Sequence, residues 1–361
     1  MQDARVAPEE AASAIDAEET LFSSRTWFNH WLAAFGAMSE SGWWQRQTDE
    51  GRVEIPYVLQ SRRLGPFLLR IATAAANAHT PRFDSCGSGV PKAGHLLAMM
   101  EDLRVSAMIF PYVSRRSRLA RAMETSREDV RYHFDFCEAS PIVDCTGNFE
   151  RYLASRGKTR RTSWLYYERR ALKSGCSFRE LSRWHEVAPF FDEILAVEAS
   201  GWKGEGGTAI AQQPQVRRFY ASLFETFAYE EKLRVFLLLR NERIIAFQAC
   251  TVHRGILSCV KIGYRAEFAK ESPGQVLQLM ILRRAFEQPE VRVFDQLGPA
   301  SKTKMKWATE VEELTTLYVF RPTPGGTLAR LRWQYGPMIK AQLQRRKTAR
   351  TVAVPDLNDG D

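Results

Sequence analysis

The stretch from Leu233 to Leu297 constrains this chain more than any other. Leu233–Arg240 (LRVFLLLR), Ile244–Val252 (IIAFQACTV) and Ile256–Tyr264 are apolar runs of strand length, separated only by Asn241-Glu242-Arg243 and His253-Arg254-Gly255. Turns that short leave no room for a crossover, so the three runs predict an antiparallel meander. A helix is expected from Pro273-Gly274 to Glu287, and a further strand over Val291–Leu297 (VRVFDQL).

The junction Lys270–Leu277 joins the meander to that helix. The first turn of a helix carries unpaired amides and the positive end of its dipole, a natural seat for a diphosphate. Ser272 suits the cap, Pro273 the first helical position, and Gly274 lets a phosphate approach the backbone. An ordinary capped helix start would look the same from this octet alone. Acidic Glu271 opposes a diphosphate, and Lys270 or Lys261 can offset it.

Upstream, Asn148–Arg156 and Thr159–Ser174 read as helices meeting at Gly157, Ser177–Leu181 as a strand, and Trp184–Ala199 and Gln215–Ala228 as helices. Leu314–Phe320 reads as a last strand before a basic helix from Leu328 to about Arg345. The first half has a looser mix. Ser23 or Ser24 caps a helix bearing Trp27, Trp31 and Phe35, ended by Gly36. Strands follow at Arg52–Arg62 and Gly65–Ala72, a helix at Gly94–Asp102, a strand at Val105–Tyr112, a helix at Ser114–Ser126 and a strand at Arg131–Glu138. The fold class is α/β with mixed sheets. The expected division is a lead-in over 1–19, an N-terminal lobe over 20–145, a C-terminal lobe over 146–325, and a basic helix and tail over 326–361.

Lys plus Arg exceeds Asp plus Glu by 51 to 42, a formal charge of +9. That suits an anionic partner or simply a basic, solvated surface. The six cysteines lack the C-x-x-C and Cys/His spacings of a zinc site, so no metal is expected and reduced thiols are. The Ala- and acid-rich start lacks a signal peptide's pattern, and no run approaches about 18 apolar residues, so a cytoplasmic protein without a membrane span is expected.

Several words of the sequence recur in order: Arg160-Arg161 with Leu172 and Gly175, Glu198 with Gly201-Trp202-Lys203-Gly204, and Phe219-Tyr220. They continue with Ile245-Ala246, Gly263-Tyr264, Ser272-Pro273-Gly274 with Leu277, and Phe294–Gly298 with Lys304 and Trp307. With the meander–helix–strand order, Phe149–Ala308 resembles the GNAT acyltransferases, more narrowly the acetyltransferase domain of CelD-type (cellulose biosynthesis) proteins, which is similar to the Fem-type peptidyltransferases. The resemblance implies a tandem pair of GNAT-like lobes. It also implies that Ser258–Tyr264 and Val291–Leu297 run parallel and splay, exposing backbone to the pantetheine arm of acetyl-CoA or another acyl-CoA. Ile262 and Gly263 would contact the arm, and Ser272, Pro273, Gly274, Gln275, Val276 and Leu277 the diphosphate. The family's loop carries a basic or Gln residue and two small residues, whereas this chain offers one Gly.

Acyl transfer needs a base, oxyanion donors and an acid for the leaving thiol. Asp295, at the end of its strand, either orients or deprotonates an acceptor or caps the turn at Gly298. Glu198 is a second base or an exposed carboxylate. Tyr264 is an acid for the thiolate or a core aromatic. Lys304 and Lys306 hold an anion or are solvated. Trp202 and Trp307, with Lys203, wall an acceptor cleft or pack. The acceptor class is a small molecule, a saccharide or a cell-envelope component. Two alternatives stand beside this reading: a Fem-like aminoacyl-tRNA-dependent transferase, drawn from the basic face between Arg156 and Lys173, and a catalytically degenerate binding protein of polysaccharide synthesis.

Overall fold

A computed structural model describes residues 20–36, 40–126, 130–200 and 213–336. The first half runs α1 (Arg25–Phe35), β1 (Glu40–Thr48), β2 (Gly51–Leu64), β3 (Phe67–Ala74), α2 (Ala93–Asp102), β4 (Ala107–Ser114), α3 (Arg118–Glu124) and β5 (Arg131–Asp144). The second half opens with α4 (Phe149–Ser155), α5 (Lys158–Lys173), β6 (Cys176–Leu181), α6 (Trp184–Val187), α7 (Phe191–Ala199) and α8 (Pro214–Tyr229). It continues with β7 (Leu233–Arg240), β8 (Arg243–His253), β9 (Ile256–Tyr264), α9 (Pro273–Glu287), β10 (Val293–Asp295), β11 (Glu310–Phe320) and α10 (Pro324–Arg330).

All the strands join one eleven-stranded mixed sheet in the order β1-β2-β3-β4-β11-β5-β10-β9-β8-β7-β6. Each half contributes an antiparallel meander followed, through a helix, by a strand parallel to the meander's last: β4 beside β3 and β10 beside β9. The halves also exchange strands. β11 lies between β4 and β5, and β5 in turn pairs with β10. The two lobes expected from sequence are therefore stitched into a single sheet.

Several boundaries move for identifiable reasons. β5 continues past Glu138 through Pro141 to Asp144. Proline lacks an amide to donate, but here its carbonyl is what the neighbour uses: Gln296 N donates to Pro141 O at 3.2 Å. The expected helix over 184–199 breaks into α6, a 3-10 turn at Ala188–Phe190 and α7, with Pro189 in the turn. β1, not foreseen, is an edge strand whose only buried residue is Trp44. The expected strand over 291–297 shortens to three residues.

The apolar faces of α1, α2, α7 and α8 share one core cluster, while α4, α5 and α9 pack a second against β7–β10. Ser24 starts α1 as expected, its hydroxyl accepting from Trp27 N at 3.2 Å, and Trp27, Phe28 and Trp31 are buried. In the second cluster the rings of Trp164 and Trp307 stack with centroids 3.6 Å apart. Among the described residues no helix is long and apolar enough to cross a membrane. No disulfide links the six cysteines, and no group of described residues is arranged to hold a metal ion.

Candidate functional site

The strands β9 and β10 stay together for three registered pairs only, Val293–Ile256, Phe294–Leu257 and Asp295–Ser258. β10 then turns away through Leu297 and Gly298, both at positive φ (46° and 64°). β9 runs on to Tyr264 with β8 on one side, and among the described residues no strand pairs its other edge. Past Ser258, β9 thus has a strand beside it on one side only among the described residues. Ile262 and Tyr264 are exposed there. Gly263 is required here: a Cβ would lie 2.7 Å from Phe247 and 3.1 Å from the Cα of Glu198, so its absence lets the end of α7 press onto β9.

The mouth of α9 lies against the end of β9. Ser272 sits in the left-handed region (φ 53°) and Pro273 takes the first helical position. The Ser272 side chain caps nothing, and the amides of Gln275 and Val276 both donate to its carbonyl, at 3.0 and 3.1 Å. Of the amides expected to greet a diphosphate, Gly274's is therefore the one with no partner among the described residues. A Cβ on Gly274 would touch only the Tyr264 ring, at 3.6 Å, so the glycine borders open space. The side chains of Pro273, Val276 and Leu277 are buried and anchor the helix. Gln275 accepts from Trp164 Nε1 at 3.2 Å.

The acidic residue at this mouth is neutralised in a way the sequence did not suggest. Arg240, on β7, donates from both terminal nitrogens to Glu271, at 3.2 and 2.5 Å. That hydrogen bonding holds the Glu271 carboxyl below its usual range, with Arg170 of α5 adding a smaller pull. Lys270 is exposed next door. With Glu271 cancelled by Arg240, Arg170 and Lys270 leave the mouth net positive.

Beneath the point where the strands part lies a buried ion-pair chain. Arg82 donates to Asp295 Oδ2 from Nε (3.0 Å) and Nη2 (2.7 Å), and its Nη1 contacts Glu312. Asp295 Oδ1 also accepts from Leu297 N at 3.0 Å. Burial disfavours the guanidinium's charge, but the two carboxylates outweigh it and hold Arg82 more firmly protonated than usual. Asp295 is only 1% exposed. Expected as a base or a turn cap, it caps the turn and is engaged by Arg82 at the same time.

Glu138 stands beside this chain. The register of β5 against β11 slips between the Glu138–Leu314 and Phe136–Thr315 pairs, so Cys137 is the extra residue of a bulge. Bulges re-aim side chains. Glu138 is half-buried, and desolvation raises its pKa, with Asp295 adding to the rise and Lys304 and Arg82 opposing it. A second slip, in β4, faces the same part of β11 and places Tyr112 at φ 61°. Burial raises the Tyr112 pKa, with Cys137 and Glu138 contributing.

The remaining candidates scatter. Lys304 donates through its amine to the Leu297 carbonyl and so ties down the turn after β10; its own carbonyl accepts from Gln296 Nε2 at 3.2 Å. Glu198 is buried rather than exposed, at 2%, and lies near Tyr220, whose pKa is raised first by burial and then by Glu198. Trp307 is 2% exposed and stacked on Trp164, with its carbonyl accepting from Tyr152 Oη at 2.7 Å. It packs; it does not wall a cleft. Trp202 and Lys203 lie outside the described residues. The structure thus gathers Ile262, Gly263, Tyr264 and Ser272–Gln275 at one mouth. Asp295 and Lys304 sit with Arg82, Glu138 and Glu312 at the base of the gap. The broken alternation of RYHFDFCE hinted at Glu138; nothing in the sequence marked Arg82.

Residues 158–305 match the model of the Acetyltransferase (GNAT) domain. That span begins at α5 and takes in the meander, α9 and β10, so this part of the chain is similar to a GNAT acetyltransferase domain. No curated protein matches the chain. Among solved structures, a conserved protein of unknown function from Bacteroides thetaiotaomicron is 12% identical, with 82% of this chain and 90% of that one covered and a TM-score of 0.52. FemX is 10% identical, covering 84% and 93%, with a TM-score of 0.51. The C-terminal domain of a putative lysylphosphatidylglycerol synthetase from Agrobacterium fabrum is 15% identical, covering 82% and 89%, with a TM-score of 0.50. At these identities the three share the fold across both halves, and nothing further is drawn from them.

Proposed function

We propose that the chain is an acyl-CoA-dependent N- or O-acyltransferase acting on a small-molecule, saccharide or cell-envelope acceptor. The observation that carries this reading is the parting of β9 from β10 after Ser258 and Asp295, beside an uncapped helix start. In this reading the edge of β9 around Ile262 and Gly263 hydrogen-bonds the pantetheine arm. The Gly274 amide, the Ser272 hydroxyl, Lys270 and Arg170 take the diphosphate; an amide and cations fit such a group.

Transfer then needs one proton removed and one supplied. Glu138 removes the proton of the acceptor amine or hydroxyl, which attacks the thioester carbonyl. The C–S bond breaks, and Tyr264, at the end of β9, protonates the departing thiolate. Asp295 acts as a positioning residue: through Arg82 it fixes the charge facing Glu138. Lys304 does the same from the turn it holds. Glu198 supports β9 at Gly263. The segment 146–325 holds the donor, and the segment 20–145 supplies Glu138 and Arg82. An acyl-CoA donor implies a cytoplasmic reaction. A CelD-type role in exopolysaccharide synthesis is the narrower form of the same reading.

Calorimetry with acetyl-CoA and longer acyl-CoA esters tests it. Binding in the micromolar range is expected, and no affinity for any acyl-CoA at millimolar concentration overturns it. One observation favours a second reading with an aminoacyl-tRNA donor: Lys158, Arg160, Arg161, Arg169 and Lys173 are all exposed on α5. Steeply salt-dependent binding of charged tRNA, with indifference to CoA, selects that reading.

A further inference from the structure

A second cleft lies in the other half, outside the segment matched to the acetyltransferase domain. It measures about 440 Å³ and opens where β3 and β4 part. Those strands, like β9 and β10, hold three registered pairs: Ile71–Ala107, Ala72–Met108 and Thr73–Ile109. Ile71 and Ile109 form an apolar floor, and Trp333 closes one side. Arg62, Arg63 and Arg332 stand on the rim, and among the described residues no carboxylate lines the cleft.

Two features mark this as a built site rather than a surface dent. Among the described residues none of the three arginines makes an ion pair; Arg62 donates to Gln60 at 2.8 Å, itself a lining residue. Buried or half-buried arginines such as Arg82, Arg240, Arg265 and Arg283 are spent on carboxylates instead. Moreover, Arg332 and Trp333 are presented by a π-helical turn, Leu331–Tyr335, that follows α10 directly. Such turns are rare and concentrate at functional sites.

We infer that this cleft binds a phosphorylated amphiphile, with its apolar portion between Ile71, Ile109 and Trp333 and its phosphate among the three guanidiniums. Guanidinium forks match phosphate oxygens bidentately. Three of them without an acid suit a dianion better than a carboxylate. The volume fits a small molecule or the end of a lipid. The inference stands apart from the acyl-CoA site and survives its failure.

Calorimetry of the full chain with hexyl phosphate, hexanoate, inorganic phosphate and hexanol is the test. Hexyl phosphate is expected to bind at least tenfold more tightly than any of the other three. The exposed pair of changes Arg62→Glu and Arg63→Glu is expected to cost a further tenfold or more, and Trp333→Ala to weaken hexyl phosphate while leaving inorganic phosphate as it was. Neither variant should alter acetyl-CoA binding. Sedimentation with vesicles containing phosphatidic acid assigns the source: arginine-dependent vesicle binding means a lipid, and hexyl phosphate binding alone means a soluble ligand. Either supports the cleft. Equal binding of hexyl phosphate and inorganic phosphate, no binding of hexyl phosphate or vesicles, or binding unaffected by both variants overturns it.

Discussion

The two halves of the sheet repeat one device and finish it differently. In each, a parallel pair separates after three registered positions, and a helix leads into the second strand. In the first half that helix, α2, reaches back only to the residue before it: the Lys92 amide donates to His95 Nδ1 at 3.2 Å. The next helix, α3, is closed. Asp84 accepts from Arg118 N and Leu119 N, at 2.8 and 2.9 Å, and Ser117 from Ala120 N. In the second half α9 starts on a left-handed Ser272 whose hydroxyl caps nothing, and its Gly274 amide stays open. The first half therefore satisfies the amides that open α3 from its own side chains, while in the second the Gly274 amide at the start of α9 has no partner among the described residues.

The sharpest way to break that contrast is to fill the open mouth. Gly274→Glu puts a carboxylate where the diphosphate would sit and should abolish acetyl-CoA binding in calorimetry, whereas Lys92→Glu at the start of α2 should leave it unchanged. Next in size is the base. Glu138→Gln should lower kcat by about 10²- to 10⁴-fold with acetyl-CoA affinity preserved. In the parent protein the rate should rise with pH as Glu138 loses its proton, at a pH above the usual carboxylate range because burial raises its pKa. A variant with unchanged kcat would remove Glu138 from the chemistry.

Asp84 probes the closed half. Burial raises its pKa to about 6 despite the pull of the Arg118, Leu119 and Ser85 amides. The folded chain therefore holds this proton more tightly than the unfolded chain. The stability it contributes is complete below the unfolded value of 3.8 and is lost as pH rises through about 6. The loss is on the order of 3 kcal/mol. Asp84→Asn should flatten that part of the stability–pH curve in chemical denaturation; an unaltered slope would contradict the assignment. The smallest effect belongs to Arg240→Met. It unmasks Glu271 and should weaken acetyl-CoA binding about tenfold, a loss of about 1.4 kcal/mol that the second change Glu271→Gln restores.

Local pattern carried far in this sequence. The short turns at Asn241–Arg243 and His253–Gly255 made the meander readable, and Ser272-Pro273-Gly274 marked the start of α9 to the residue. The exchange of β5 and β11 between halves was not readable, because strand order is set by pairing over long separations and no local periodicity encodes it. For the same reason Arg82 escaped notice: its partner Asp295 lies 213 positions away in sequence. Glu271 looked hostile to a diphosphate because its neutralising partner, Arg240, sits on another strand. Glu138 owes its direction to a bulge defined only by the register against β11. Trp307 read equally well as a cleft wall or as core, and its stack on Trp164 decided for core.

Hydrogen exchange with and without acetyl-CoA tests the central contrast most directly. The part of β9 over 259–264 and the first turn of α9 should gain protection on adding the ligand, while β3 and the start of α2 should not change. Protection appearing at β3 and α2 instead, or nowhere, would contradict the assignment of the open mouth to the second half.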